Sequence, residues 1–426
     1  MTFIERGARR IGAVSPNLAR RAVEAAAGSS ALHGGFLFAE AVRLRRRRRP
    51  RAILVICDVN LGDAILIQSF LEPVKEAFPD ASLAYAYSPK AFPFIGGNPR
   101  VDRHLLFGRD ERGLQGDEIR ILAETVAASR FDWIVNFRHA LPSRVWRASG
   151  AVVLSPLRII ANILRSLAGG TRRAHVCVHM NQFARDCVLA VSGPERRRPG
   201  GGAERLGRSI FVGGTAAVQA ADFLAGSGFR PGAKKIMINS DASHDRTLIP
   251  LPLQKRLLEG VLSIPGADVI LCEGYRRPEI AAALVESMPA SLRSRLFLLP
   301  RSTPLDVWAA LMDACDLVVS GDTGPLHMAA ARKVNPDPAR PFRNRTAVVG
   351  LFGPTSPFVY GYDSFEPLGF PAAQDAPAKA FQAPASCRSL LCMDDKSLFR
   401  WCVGNRCFDG LPVGDVLDYI RARFGS

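Results

Sequence analysis

The sequence predicts an α/β protein made of two successive doubly wound domains with parallel sheets. Three observations carry that expectation. From residue 51 onward, short apolar runs alternate with helical patterns. The alternation is broken at 192–208 by SGPERRRPGGGAERLGR, rich in Gly, Pro and charge, and then restarts. The chain has 426 residues, too many for one typical core and suited to two domains of roughly 150–200 residues each.

In the first half, AILVIC at 52–57 reads as a buried strand, followed by a Gly-containing turn and a helical pattern over 64–78. Strands follow at 81–87 and 101–106, then a helix at 116–129 and a strand at 131–136. After the break the pattern gives strands at 235–239, 268–272, 296–299 and 317–319, separated by helices at 253–263, 278–286 and 305–314. A helix begins after Gly324, a strand follows at 346–352, and GDVLDYIRARF at 414–424 is a last amphipathic helix. The resulting division is a basic extension (1–50), a first α/β domain (51–191), a linker region (192–232), a second α/β domain (233–410) and a C-terminal helix (411–426).

Composition narrows the class. Hydrophobic residues make up 48% and charged residues 22%, which excludes disordered, collagen-like and disulfide-stapled chains. The most apolar stretch, 149–167, is interrupted by Arg158 and Arg165, and a bilayer span requires ~18 uninterrupted apolar residues. No secretory pattern opens the chain, so a cytoplasmic protein is expected. Cys57, Cys177, Cys187, Cys272 and Cys315 lie in apolar segments, as buried thiols do in a reducing compartment. The net charge of +17 is concentrated at the start, where twelve arginines face three glutamates within the first 51 residues. Segments 17–27 and 36–44 can form short helices with Arg on one side and apolar residues on the other, suited to an anionic leaflet. A solvated extension is the alternative. No aromatic-interleaved basic patch points to nucleic acid.

Three segments carry chemistry. In DLVVSGDTGPLHMAAA (316–331) a buried strand runs into Gly321-Asp322-Thr323-Gly324 and directly into a helix. Free N–H groups and the positive end of the helix dipole then meet at the carboxyl edge of a parallel sheet, where diphosphates bind. The plain alternative is an N-cap at Asp322 or Thr323. In DVNLGD (58–63), Asn60 and Asp63 lie at the mouth of the first sheet, and Asp63 is a candidate general base or, more plainly, a first-turn carboxylate. In NSDASHDRT (239–247), Ser243 and Arg246 can clamp phosphate oxygens or form a polar surface turn.

Together with AFPDASLAY, GGNPRVDRHLLF, FDWIVNF and VVGLFGPTSP, these segments resemble glycosyltransferase family 9, the ADP-heptose:lipopolysaccharide heptosyltransferases, over about residues 51–426. The resemblance implies a GT-B architecture of two facing Rossmann-like domains, acceptor on the first and nucleotide sugar on the second, with the C-terminal helix packed back on the first. It also implies inversion without an obligatory metal or other catalytic cofactor. Carried over, Asp63 would deprotonate the acceptor, and Asp322, Thr323, Gly324 and His327 would surround the donor. Glu279 falls near an acidic position that holds the nucleotide ribose. Arg138, Ser143 and Arg144 are plausible contacts for an anionic acceptor. One loop departs from the family pattern: HPGAS with a following lysine and a Trp-Pro pair is replaced by NSDASHDRTLIP, so the lysine is either substituted by Arg246 or lost.

Cys387, Cys392, Cys402 and Cys407 form a quartet with x4, x9 and x4 gaps, able to hold a structural zinc or iron or to remain as buried thiols. The sequence thus points to an inverting glycosyltransferase moving a heptose-like sugar, ADP-heptose foremost, onto a lipopolysaccharide-type or other glycan acceptor, peripherally placed on the inner face of the membrane. A nucleotide-sugar epimerase and a catalytically idle basic scaffold are the rivals.

Overall fold

The computed structural model describes residues 44, 49–57, 61–107, 116–137, 150–154, 159, 175–192, 210–332, 346–362, 378–384 and 406–424. Two parallel sheets organise them. The first contains β1 (Ala52–Ile56), β2 (Ser82–Tyr87), β3 (Arg103–Leu106), β4 (Trp133–Asn136) and β5 (Val152–Leu154), ordered β3-β2-β1-β4-β5. The second contains β6 (Lys234–Asn239), β7 (Ala267–Cys272), β8 (Leu296–Leu299), β9 (Leu317–Gly321), β10 (Ala347–Phe352) and β11 (Ala378–Gln382), ordered β11-β10-β9-β6-β7-β8. Central strands such as LVVSG and AVVGLF are buried on both faces, as parallel sheets covered by helices require. The two-sheet α/β architecture is of the GT-B type expected from the sequence.

In the first domain the helices are α1 (Leu61–Leu66), α2 (Gln68–Ala77), α3 (Phe92–Ile95), α4 (Gly116–Ser129) and α5 (Val176–Ser192). The single helix expected over 64–78 is divided at Ile67. Pro73 lies inside α2, and a proline has no N–H to give the carbonyl four residues back. That carbonyl, Ser69 O, instead accepts from Asn181 Nδ2 of α5 at 3.5 Å. From the basic extension, Leu44 is buried in the first-domain core and the Arg49 guanidinium stands 5.7 Å from the Phe78 ring centroid.

The second domain carries α6 (Gly214–Gly226), α7 (Leu251–Leu262), α8 (Pro278–Ser287), α9 (Ala290–Arg293), α10 (Leu305–Ala314), α11 (Gly324–Ala331), α12 (Pro357–Tyr360) and α13 (Val413–Phe424). Two expectations are corrected. The region 192–232 is not all linker, since α6 forms within it and packs on α10. Among the described residues, the C-terminal helix packs within the second domain rather than on the first. Its apolar stripe, Val413, Val416, Leu417 and Ile420, joins the core on the outer face of the second sheet. Contact with α7 is close enough that a Cβ on Gly260 would overlap Leu417; two matching apolar stripes within one domain are buried by the shortest available packing.

A continuous apolar cluster joins the domains. It runs from Ile53, Val55 and Leu83 on the first sheet through Trp308, Leu326 and Met328 to Met237 and Val318 on the second. The carboxyl ends of β1 and β9 are thereby brought face to face.

Candidate active site

In an open parallel sheet, ligands bind beyond the carboxyl ends of the strands where the strand order reverses. In the second sheet that point lies between β6 and β9, which end at Asn239 and Gly321. Asn239 Nδ2 there approaches Thr323 Oγ1 at 3.1 Å, Ser320 Oγ at 3.2 Å and the Asp241 carbonyl at 2.8 Å. Thr323 precedes α11 in an extended conformation, and its hydroxyl engages this buried network rather than capping the helix. The helix start at Gly324-Pro325 lines the cleft, so its dipole is directed toward whatever occupies the space.

Asp322 turns the other way. Its Oδ1 lies 3.3 Å from His327 Nε2, and His327 Nδ1 lies 2.8 Å from the Tyr362 hydroxyl, with both His327 and Tyr362 buried. In the neutral imidazole, an Nε2–H that donates to the carboxylate leaves Nδ1 to accept from the phenol. Asp322 and His327 therefore brace the turn from behind, while Thr323 and Gly324 face the cleft.

The first domain meets this turn directly. A Cβ on Gly62 would stand 2.7 Å from His327 Cδ2, and one on Gly324 would stand 3.1 Å from Leu61 Cδ2. One glycine from each domain thus permits the close approach. Asp63, half-buried, follows Gly62 in the first turn of α1. Its carboxylate is close enough to Tyr85 to add, after burial, Cys57 and Tyr87, to the upward push on that phenol.

The cleft between the lobes encloses about 150 Å³. Leu61, Gly62, Ser88 and Lys90 line it from the first domain; Asn239, Asp241, Ser243, Tyr275, Arg276, Trp308 and Thr323 are among its second-domain residues. Of the donor residues expected from sequence, Ser243, Thr323 and Gly324 line it. Arg246 is half-buried outside that lining, and Glu279 is exposed in the first turn of α8, also outside it. The 274–277 loop is held by Asp241, whose Oδ2 accepts from the Arg276 N–H at 2.9 Å and whose Oδ1 lies 3.4 Å from Arg277 Nη1. Arg277 also pairs with Asp245.

Sequence reasoning missed Lys90, Tyr275, Arg276, Trp308 and Tyr362. For the first three a usable signal existed: each lies just beyond the carboxyl end of a strand, β2 or β7. Tyr275 stacks obliquely on Trp308 at 6.2 Å, and burial pushes its phenol up.

Asn60, Arg138, Ser143 and Arg144 lie outside the described residues, as do Cys387, Cys392 and Cys402. Cys407 is half-buried in the turn Arg406–Phe408. Among the described residues no group of three or more His, Cys, Asp or Glu side chains is arranged to hold a metal. Cys57, Cys177, Cys187, Cys272 and Cys315 are all buried, and burial pushes the Cys315 thiol up to about 12. No described helix is long and apolar enough to cross a membrane.

Residues 256–369 match the family model for glycosyltransferase family 9 (heptosyltransferase). No curated protein matches the chain by sequence. Among solved structures, a glycosyltransferase family 9 protein from Veillonella parvula is similar at 18% identity, with a TM-score of 0.58 over 89% of this chain and 98% of that one. The E. coli ADP-heptose lps heptosyltransferase II aligns at 16% identity and a TM-score of 0.52, over 87% and 98% of the two chains. E. coli heptosyltransferase WaaC, solved with ADP-2-deoxy-2-fluoro heptose, aligns at 16% identity and a TM-score of 0.50, over 87% and 99%. At these identities the structural likeness speaks for the fold.

Proposed function

We propose, from the premise that this chain is a heptosyltransferase-like glycosyltransferase of family 9, that it transfers a heptose-like sugar with inversion from a nucleoside-diphosphate donor, ADP-heptose foremost, to a lipopolysaccharide-type glycan acceptor. The observation that carries this reading is the contact of Gly62 with His327 and of Leu61 with Gly324. These contacts support the reading because Asp63, the one carboxylate in the first turn of α1, directly follows the two residues that touch the turn presenting Thr323 and a helix N-terminus to the cleft.

The chemistry follows from that placement. An acceptor hydroxyl oxygen attacks the anomeric carbon from the first-domain side, and the bond from that carbon to the β-phosphate oxygen breaks. The electron pair leaves on the diphosphate and the hydroxyl proton passes to Asp63. The Gly324 N–H, the positive end of the α11 dipole and the Thr323 hydroxyl answer the charge that develops on the leaving group. No cofactor is needed for these steps.

The test is transfer from ADP-heptose to a deacylated lipopolysaccharide core by the purified full chain. Asp63→Asn should lower kcat by ~10²–10⁴-fold, the usual contribution of a positioned base, while the rise in melting temperature produced by ADP is unchanged. Binding of ADP with no turnover by the parent would instead favour an idle scaffold.

The arginine-rich extension further suggests a peripheral position on the inner leaflet. A chain that lacks residues 1–40 and has Arg45 to Arg48 replaced by Ser, but retains the buried Leu44, should lose sedimentation with phosphatidylglycerol vesicles. Undiminished binding would overturn that placement.

A further inference from the structure

The second-domain wall places a carboxylate where an anion is to bind. Asp241 lines the cleft, and it stands where the HPGAS pattern has glycine. Its backbone belongs to the network of the donor turn, because Asn239 Nδ2 reaches both the Asp241 carbonyl at 2.8 Å and Thr323 Oγ1 at 3.1 Å. A bare carboxylate there would repel a diphosphate, and like charges repel most strongly where water is scarce.

Asp241 is not bare. Its side chain is only 9% exposed. Oδ1 accepts from the Ala242 N–H at 2.8 Å, and Oδ2 accepts from the Arg276 N–H at 2.9 Å. Behind them stands Arg277, which is outside the cleft lining. Its Nη1 lies 3.4 Å from Asp241 Oδ1 and donates to the Ala242 carbonyl at 2.8 Å, while its Nη2 pairs with the exposed Asp245. Gly274 completes the fit, since a Cβ there would overlap Asp241. Strands β6 and β7 are parallel neighbours, so one guanidinium bridges the two loops that leave them and supplies positive charge to the acid from the side away from the ligand.

We propose that Arg277 is a positioning residue that masks charge: from behind the wall its guanidinium offsets the Asp241 carboxylate and holds it against the Arg276 N–H, so that the cleft admits a diphosphate. The inference rests on the reading of the cleft as a diphosphate site, but not on sugar transfer. A residue that only fastened the two loops together would respond differently when the charge of Asp241 is removed.

The experiment uses the full chain with Arg277→Met, Asp241→Asn, the double variant and Arg256→Met, the last altering an exposed residue of α7. Calorimetry with inorganic pyrophosphate, ADP and adenosine gives the binding constants. Arg277→Met should weaken pyrophosphate and ADP by ~10–100-fold, as exposing one charge to a polyanion implies, and leave any adenosine affinity unchanged. That gap should narrow as salt rises. Asparagine keeps an oxygen for the Arg276 N–H, so Asp241→Asn should bind pyrophosphate at least as tightly as the parent. The double variant should return to within about threefold of the parent, since the two sites are directly coupled. Arg256→Met should match the parent. Pyrophosphate binding by Arg277→Met equal to that of the parent would overturn the proposal, as would a double variant as weak as Arg277→Met, which marks a structural role. Loss and rescue in a chain that transfers no sugar would leave the mask standing and remove the transferase reading. Sugar transfer with the same donor kcat/KM in parent and Arg277→Met would do the reverse.

Discussion

The two walls of the cleft are built differently. On the second-domain wall, polar side chains are tied to one another before any ligand arrives: Asn239 with Thr323 and Ser320, Asp322 with His327 and Tyr362, Asp241 with Arg277. The first-domain wall is a set of strand and helix ends, Leu61, Gly62, Ser88 and Lys90, over an apolar layer, and Asp63, next in α1 after Gly62, is outside that lining. One wall is tied together internally, and the other is assembled from element ends. Preorganised dipoles require no rearrangement during reaction, so under the proposed function the second-domain wall suits the leaving group and the first-domain wall the incoming acceptor.

The difference extends to how each domain buries its imidazoles. His327 has a carboxylate on one nitrogen and a phenol on the other. His179, in α5 of the first domain, is buried and its pKa is pushed down to about 4 by that burial. Because the folded value lies below the ordinary 6.5, the unfolded chain binds a proton that the folded chain refuses. Stability is then complete above about pH 6.5 and declines as pH falls toward 4, by about 3 kcal/mol. Urea unfolding of the parent and of His179→Gln at pH 7.5 and 4.5 checks this: the parent should lose the larger share on acidification, in a transition reported by the first domain. Equal losses would show that the two domains do not differ in acid sensitivity through this residue.

Much of this architecture was legible beforehand, and the exceptions have physical causes. Helices 116–129 and 305–314 and strand 296–299 coincide with the observed elements because their apolar periodicity is strong and their ends carry Gly or Pro signals. The three-residue β5 and the edge strand β11, AKAFQ, were missed because neighbouring strands, not their own composition, make them strands. Helix α6, rich in alanine and only partly buried, has too narrow an apolar stripe to stand out from the adjoining linker. At the site, Asp63 and the 321–327 segment stood out because each follows a strand in one continuous motif. Lys90 and Tyr275 did not: their positions beyond strand ends were readable, but their meeting depends on how two domains dock, which no local pattern records. The same is true of α13, whose stripe is obvious but whose partner, α7 rather than the first domain, is a tertiary choice.

The smallest expected effect addresses the line along which the walls touch. A methyl group on Gly62 would enter the space of His327 Cδ2 at 2.7 Å, and His327 cannot swing aside without breaking its bonds to Asp322 and Tyr362. Helix propensity alone would make Gly62→Ala stabilising by up to about 1 kcal/mol, so a loss of stability isolates the steric term. Overpacking of this kind costs about 1–3 kcal/mol, and the expected net result is a destabilisation near the lower end of that range, with a rise in donor KM as the turn is displaced. Gly214→Ala provides the contrast, since a Cβ there meets nothing within 4 Å and its effect should stay within about 0.5 kcal/mol. Denaturant midpoints for the two variants, measured side by side, decide the matter: if Gly62→Ala is as benign as Gly214→Ala, the lobes do not meet through this glycine, and Asp63 loses the contact that sets it beside the donor turn.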